Sequence, residues 1–369
     1  MATKSHATNK RRPASVKTAA ATAATSSAAE RKTLNLALQG GGAHGAFGWG
    51  VLDRLLEDGR IDFDGVCATS AGAINAVLLA HGLASGGADG ARAALANFWR
   101  EVAAESLWLN PFALNPWAKA INAMGEAALE NSPALALAEA ATRAFSPYQL
   151  NPLNFNPIRR LLKRYVDFDR LRAASPVKLF LCATNVETGK VRIFSGNDVS
   201  ADAVLASSCL PTLFQAVRID GEYFWDGGYV GNPAIYPLIY ECACSDVLIV
   251  HLSPIVRRGL PRTPSEIMNR LQEVSFNSSL MREMRAIAFV TSLIERGKLD
   301  EKEARRMHIH SIRADEEMAN LSATSKLNAD WAFLCELHDR GRAHAEQWLG
   351  QHFDAIGVRS SVDLRTEFL

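Results

Sequence analysis

Three short stretches of this chain hold residue types that can do chemistry together. Gly40-Gly41-Gly42-Ala43-His44-Gly45 offers bare backbone, Cys67–Ala73 holds Ser70 among small residues, and Tyr223–Gly228 holds Asp226 ahead of two glycines. Without Cβ atoms, successive N–H groups can turn toward one point. Such a nest can hold a phosphate, or the oxyanion formed when a carbonyl is attacked. Taken literally, the first stretch also satisfies G-x-G-x-x-G, the dinucleotide signature. A ribose would then need an acid at the end of the second strand. Asp62 and Asp64 precede that strand, which ends instead at Ser70.

Ala68-Thr69-Ser70-Ala71-Gly72 approximates the G-x-S-x-G turn that projects a nucleophilic serine above a sheet edge. A helix opening at Ala71 would aim its N-terminal N–H groups and dipole at the same point. The competing role for Ser70 is a plain helix N-cap. A nucleophilic hydroxyl needs a proton acceptor. His251 is the one histidine near a strand end, but it falls inside the run Asp246–Leu252. Asp226 follows an aromatic strand and precedes two glycines, whereas the other Asp-Gly pairs, at 58, 64, 89 and 220, lack that setting. Its competing role is a turn aspartate.

The elements that must carry these residues follow from pattern. Leu34–Leu38, Gly65–Thr69, Val177–Ala183 and Asp246–Leu252 are apolar runs of strand length, and Val191–Phe194, Val217–Ile219 and Tyr223–Trp225 are shorter ones. Ala46–Leu56 and the nearly all-apolar Ala71–Leu83 read as helices, the second one buried. Strand alternating with helix predicts an α/β fold with a largely parallel sheet. Residues 105–171, aromatic and rich in Asn-Pro pairs, predict an inserted cap. Residues 262–369 predict a C-terminal helical extension. It opens with a capping box at Thr263–Glu266, presents Ile267, Leu271 and Val274 and later Ile287, Val290 and Ile294 on one apolar face, and closes on a docked helix pair bearing Trp331, Leu334, Leu337, Trp348, Leu349 and Phe353.

In this order, the triple-glycine loop, the Ser70 turn and Asp226-Gly227-Gly228 resemble the patatin-like phospholipases, lipid acyl hydrolases with a Ser-Asp dyad. Ala206–Pro211 looks like a further part of the family pattern, and the resemblance covers roughly residues 33–255. It implies a three-layer patatin-like fold with a largely parallel central sheet and an inserted helical cap. It implies Ser70 as nucleophile, Asp226 as base, and the N–H groups of Gly41, Gly42 and Ala43 as oxyanion donors. It requires no metal or other cofactor. The expected substrate is a lipid ester, with phospholipase A-type cleavage. The alternatives are an esterase on a non-lipid or storage-polyester substrate, or a catalytically silent binding module. Two positions depart from the family: Ala68 replaces Gly, and His44 stands where many members have Arg or Lys. A neutral histidine can donate one hydrogen bond but carries no permanent charge.

The 369 residues carry a net charge of +1, which hides a split. Seven Lys/Arg against Glu30 give residues 1–32 a charge of +6, leaving −5 on residues 33–369. The tail is Ala-, Ser- and Thr-rich and predicts disorder. Its Ala run is broken by Thr and Ser, unlike a secretory core; a transit peptide or a flexible tail that brushes anionic surfaces both suit it. Arg159, Arg160, Lys163 and Arg164 share one helix face opposite Leu161, Leu162, Tyr165 and Val166, so the 159–166 helix offers a second contact for anionic headgroups or simply a solvated face. No unbroken apolar run of spanning length stands out, no nucleic-acid partner is expected, and the expected location is cytoplasmic with peripheral membrane contact. The six cysteines lack a C-x-x-C and predict reduced, mostly buried thiols. His308 and His310 alternate on a strand without an acid at ligand spacing, which favours structural histidines.

Overall fold

Leu34, Leu36 and Leu38 point to one side of β1 (Lys32–Leu38) and pack in one apolar cluster, while Ala37 points to the other side and packs in a second. A strand buried on both faces must lie inside a sheet covered by helices on both sides. That is the arrangement in the computed structural model, which describes residues 1–3, 31–109, 145–300, 302–321 and 324–369. The chain divides into Met1–Glu30 and Arg31–Leu369. Residues 4–30 of the expected 1–32 tail lie outside the described residues, as do residues 110–144 of the expected cap with Phe112 and Trp117; the tail's last two residues are instead part of the fold, with Arg31 bonded to Asp62 and Lys32 opening β1.

After β1 come α1 (Gly45–Asp58), β2 (Ile61–Ala68), α2 (Ala71–Leu109), α3 (Pro147–Leu150), α4 (Pro157–Tyr165) and α5 (Phe168–Ala174). Then follow β3 (Lys178–Asn185), β4 (Val191–Ser195), α6 (Ala201–Ser207), β5 (Val217–Ile219), β6 (Glu222–Asp226), α7 (Tyr236–Glu241) and β7 (Asp246–Val250). The extension adds α8 (Pro264–Glu295), β8 (His308–Ile312), α9 (Asp315–Ala319), α10 (Trp331–His352) and α11 (Leu364–Phe368). Strands β3, β2, β1, β7 and β8 pair in that order, all parallel, and β4, β5 and β6 add antiparallel pairings. Helices α1, α2 and α10 cover one face; α7, α8 and α11 cover the other.

One detail of register positions the site. Phe180 and Leu181 pair with both β2 and β4, so those two strands flank β3 on opposite edges. Ala183 and Thr184 pair with both β4 and β6, so β6 shares the β2 edge. β2 runs parallel to β3 and ends with Ala68 opposite Leu181. β6 runs antiparallel to it and ends with Asp226 opposite Ala183. The two strands therefore meet head-on along one edge of β3.

Several elements differ from expectation. α2 continues well past Leu83 and is interrupted by non-helical backbone at Gly86 and Gly87. Its stretch Ala71–Glu105 is long and apolar enough to cross a membrane, although no unbroken apolar run marks it, but 61% of its most apolar window is buried within the fold. Packing on the sheet accounts for that apolarity. The extension is not only helical, because β8 joins the sheet beside β7. Trp331–His352 is one continuous helix on α1, not a pair. The capping box opens α8 as expected, but Ile267, Leu271 and Val274 are exposed, because α8 packs from Glu273 onward. On α4, Arg160 pairs with Glu105 at 2.6 Å, Arg164 with Glu101 at 3.0 Å, and Arg159 with Asp202. Leu161 and Leu162 are buried, so one face of this helix packs in the core, and on the other face its three arginines, but not the exposed Lys163, are engaged by neighbouring acids among the described residues. His310 Nε2 lies 3.0 Å from Asp246 Oδ1, and His308 Nδ1 lies 3.5 Å from it. The acid that sequence spacing could not supply comes from the neighbouring strand, yet no group of metal-ligating side chains forms among the described residues.

Candidate active site

β2 ends at Ala68 and the chain turns sharply into α2. Ser70 sits at the turn with φ +55°, a left-handed conformation that costs a non-glycine residue about 1–3 kcal/mol. Surrounding bonds over-determine it. Thr69 N–H donates to Leu38 O at 3.1 Å, the Thr69 hydroxyl to Gly231 O at 2.6 Å, and Ser70 N–H to Ser207 Oγ at 2.9 Å. Ser70 is buried, at the N-terminus of α2. Ala68, the departure from glycine, is fully buried in the core, where its methyl group packs. Gly72 has no such room: a Cβ there would lie 2.4 Å from Leu38 O. Gly72→Ala is therefore expected to destabilise the protein by about 1–3 kcal/mol. Urea unfolding checks this, and an unchanged midpoint would show the turn is not close-packed at that point.

Asp226 arrives from the opposite direction, at the end of β6. Thr184 Oγ1 donates to its carbonyl at 2.7 Å, and its N–H donates to Cys209 O at 2.8 Å. Oδ1 accepts the Gly228 N–H at 2.7 Å. Oδ2 is buried and makes no hydrogen bond. Burial pushes the Asp226 pKa up to about 6, against the smaller downward pulls of the Gly228 N–H and then the Ser70 hydroxyl. Ser70 is thus the side-chain hydroxyl felt by the carboxylate, although no hydrogen bond joins them at rest. Catalytic hydrogen bonds often tighten only when substrate binds.

The glycine loop closes the third side. Gly40 lies against Ser70, where a Cβ would stand 2.6 Å from the serine Cβ, and its N–H donates to Asn232 Oδ1 at 2.8 Å. Gly42 adopts φ +60°, which glycine alone adopts without strain. Among the described residues, the N–H groups of Gly41, Gly42 and Ala43 have no protein acceptor. Gly42 and Ala43 begin a short 3-10 turn, whose first N–H groups are left open for a ligand. His44 follows, buried, with Nε2 2.7 Å from Ser325 Oγ. Burial, then the nearby Lys326 charge, lowers its pKa to about 3, so the ring is neutral.

The other candidates fall away. His251 stacks on Phe368 with neither ring nitrogen hydrogen-bonded, and burial lowers its pKa to about 3. Asp62 pairs with Arg31 and Asp64 accepts the Ala243 and Cys244 N–H groups. Both sit in the first half of β2, far from the loop a dinucleotide would occupy. All six cysteines are free, four of them buried.

Sequence pattern missed the residues that brace the site. Gln39 accepts the Leu252 and Ser253 N–H groups at 2.9 and 3.1 Å and donates to Asn232 O at 3.3 Å. Asn75 joins Gly45 O to the Trp99 indole, each at 2.9 Å. The available signal was a lone amide inside an apolar run: Gln39 directly after Leu38, and Asn75 inside Ala71–Leu83.

The arrangement sets a hydroxyl, a carboxylate of raised pKa and open N–H groups around one point. The family described as Patatin-like phospholipase matches residues 36–239, more than half of the chain. No curated protein matches. Among solved structures, the chain is similar to VipD from Legionella pneumophila at 16% identity and a TM-score of 0.36, covering 88% of this chain and 67% of that one. It is similar to full-length ExoU from the type III secretion system of Pseudomonas aeruginosa, solved with SpcU, at 18% identity and a TM-score of 0.31, covering 86% of this chain and 53% of that one. On the strength of the family match, the chain belongs to the patatin-like phospholipase family.

Proposed function

We propose that the protein is a serine acyl hydrolase that cleaves carboxylic esters of lipids through Ser70 and Asp226. The observation that supports this is the head-on meeting of β2 and β6, which brings the Ser70 turn and Asp226, with its unbonded Oδ2, to the same edge of β3. Asp226 accepts the hydroxyl proton as Ser70 Oγ attacks the ester carbonyl carbon. The N–H groups of Gly41, Gly42 and Ala43 hold the oxyanion, each such donor being worth about 2.7–4 kcal/mol at the transition state. The alcohol leaves with the proton, giving an acyl-serine. Asp226 then takes a proton from water, whose oxygen attacks the acyl carbon; the bond to Ser70 Oγ breaks, Asp226 returns the proton to that oxygen, and the fatty acid leaves.

Two features favour a lipid ester. The family acts on lipids, and the described end of the cap exposes Phe145, Tyr148, Leu150, Leu153 and Phe155 together. This segment is tied to the strand pair that carries Asp226, since Gln215 donates to Asn151 O at 2.8 Å and Ala216 N–H to the Tyr148 hydroxyl at 3.3 Å. A panel of phospholipids, triglycerides and short esters tests the substrate, with a fluorophosphonate as active-site probe. Turnover of short esters alone would count against lipid. The scheme uses no metal, so full activity is expected in excess EDTA, and loss of activity restored by a divalent cation would contradict it.

A further inference from the structure

The glycine loop is held from outside the family-matched residues. The 3-10 turn Thr324–Leu327 of the C-terminal extension lies directly on it. A Cβ on Gly42 would fall 2.3 Å from Lys326 O, so only glycine allows the two backbones to approach this closely. Next to it, Ser325 Oγ holds His44 Nε2 at 2.7 Å. The two contacts grip the loop on either side of Ala43.

Charge accompanies the contact. The ring of His44 is neutral, so the loop's own side chains bring no cation to a site where negative charge develops. Lys326 makes neither a hydrogen bond nor an ion pair among the described residues, and its field reaches the His44 ring. The charged groups that face Lys326 are Glu273 on α8 and Arg257 ahead of it. Glu273 is already engaged, by Arg257 at 2.6 Å and Arg270 at 3.1 Å. Lys326, Arg257 and Arg270 thus share one carboxylate, and the Lys326 charge is not cancelled. A fixed positive potential in a buried site stabilises an oxyanion without reorganisation.

We propose that Ser325 and Lys326 are positioning residues of the reaction: they clamp the oxyanion loop through Gly42 and His44, and the Lys326 ammonium supplies the positive potential that the loop lacks. This rests on the hydrolase reading above. It makes the extension part of the catalytic apparatus, although it lies beyond the matched residues 36–239.

The test uses the full chain, p-nitrophenyl butyrate and a fluorophosphonate. Lys326→Met is expected to lower kcat about 10- to 100-fold with KM within about twofold, and Lys326→Arg to restore most of it. Ser325→Ala, which frees His44, is expected to cost about 3- to 10-fold. Burial lowers the Lys326 pKa below its ordinary value, with the Arg257 charge acting the same way and Glu273 against it, so wild-type kcat should fall on an alkaline limb as the ammonium loses its proton. That limb should move up in the arginine variant and vanish in the methionine one. Tyr229 and Cys209, both pushed to about 12, titrate above this range. Wild-type kcat and an unchanged limb in Lys326→Met would overturn the proposal, as would equal losses in the methionine and arginine variants. A wild-type protein that the fluorophosphonate does not label at Ser70 would overturn the hydrolase reading first, and this one with it.

Discussion

Ser70→Ala protein should form no fluorophosphonate adduct and hydrolyse p-nitrophenyl butyrate about 10⁴-fold more slowly than wild type, or worse. The expectation comes from what the hydroxyl does and does not contact. It is the side-chain hydroxyl felt by the Asp226 carboxylate, whose Oδ2 is otherwise without a partner. Removing it leaves no formed hydrogen bond broken, and the Ser70 N–H bond to Ser207 remains available to alanine. Alanine also tolerates the left-handed turn no worse than serine does. The variant should therefore fold like wild type and keep its open oxyanion donors, so some residual rate over water is expected from them. Intact-mass detection of the adduct, alongside ester turnover, checks this. Wild-type turnover in the variant would mean that another group is the nucleophile.

Asp226→Asn should show activity and stability moving in opposite directions. Asparagine retains an oxygen for the Gly228 N–H but cannot accept the serine proton, so kcat should fall about 10³- to 10⁴-fold. In wild type, the base works only when ionised, so kcat/KM should rise as pH passes about 6. Stability follows from the same shift. The folded protein holds the Asp226 proton more tightly than the unfolded chain, its pKa raised by burial from the ordinary 3.8 to about 6. Between those values the folded state binds more protons than the unfolded state, so stability falls as pH rises and the loss is complete above pH 6. The carboxylate then costs on the order of 3 kcal/mol at neutral pH, borne by a side chain with almost no solvent contact. The asparagine variant should consequently melt higher than wild type at pH 7 and lose that advantage near pH 4. A variant that melts lower at both pH values would show that the carboxylate is not under this strain.

Much of this was legible in residue type and order. The four long apolar runs became β1, β2, β3 and β7, because strands buried on both faces must be continuously apolar. Ser70 and Asp226 stood out because small residues crowd the first and two glycines follow the second. What stayed hidden was pairing between distant segments. That β6 shares an edge with β2 depends on which side of β3 each strand takes, and no local pattern carries that information. The role of Asp246 beside His308 and His310 was hidden for the same reason: its partners lie on a neighbouring strand. Ile267, Leu271 and Val274 misled because helical spacing of apolar residues says that a face exists, not that something covers it. Lys326 gave no signal at all, being one lysine in a polar stretch.

The shared edge of β3 also makes assembly of the site a matter of counting. Asp226 reaches its place only if it sits opposite Ala183, and side chains alternate faces along a strand. A slip of one residue would not move the carboxylate slightly away from Ser70; it would turn it to the other side of the sheet. Slippage of two would restore the side and displace the group by about 7 Å, beyond reach of the hydroxyl. Each molecule is thus either in register and competent or out of register and inert. In a partly misassembled preparation, the number of titratable sites should fall while the turnover of each remaining site stays the same.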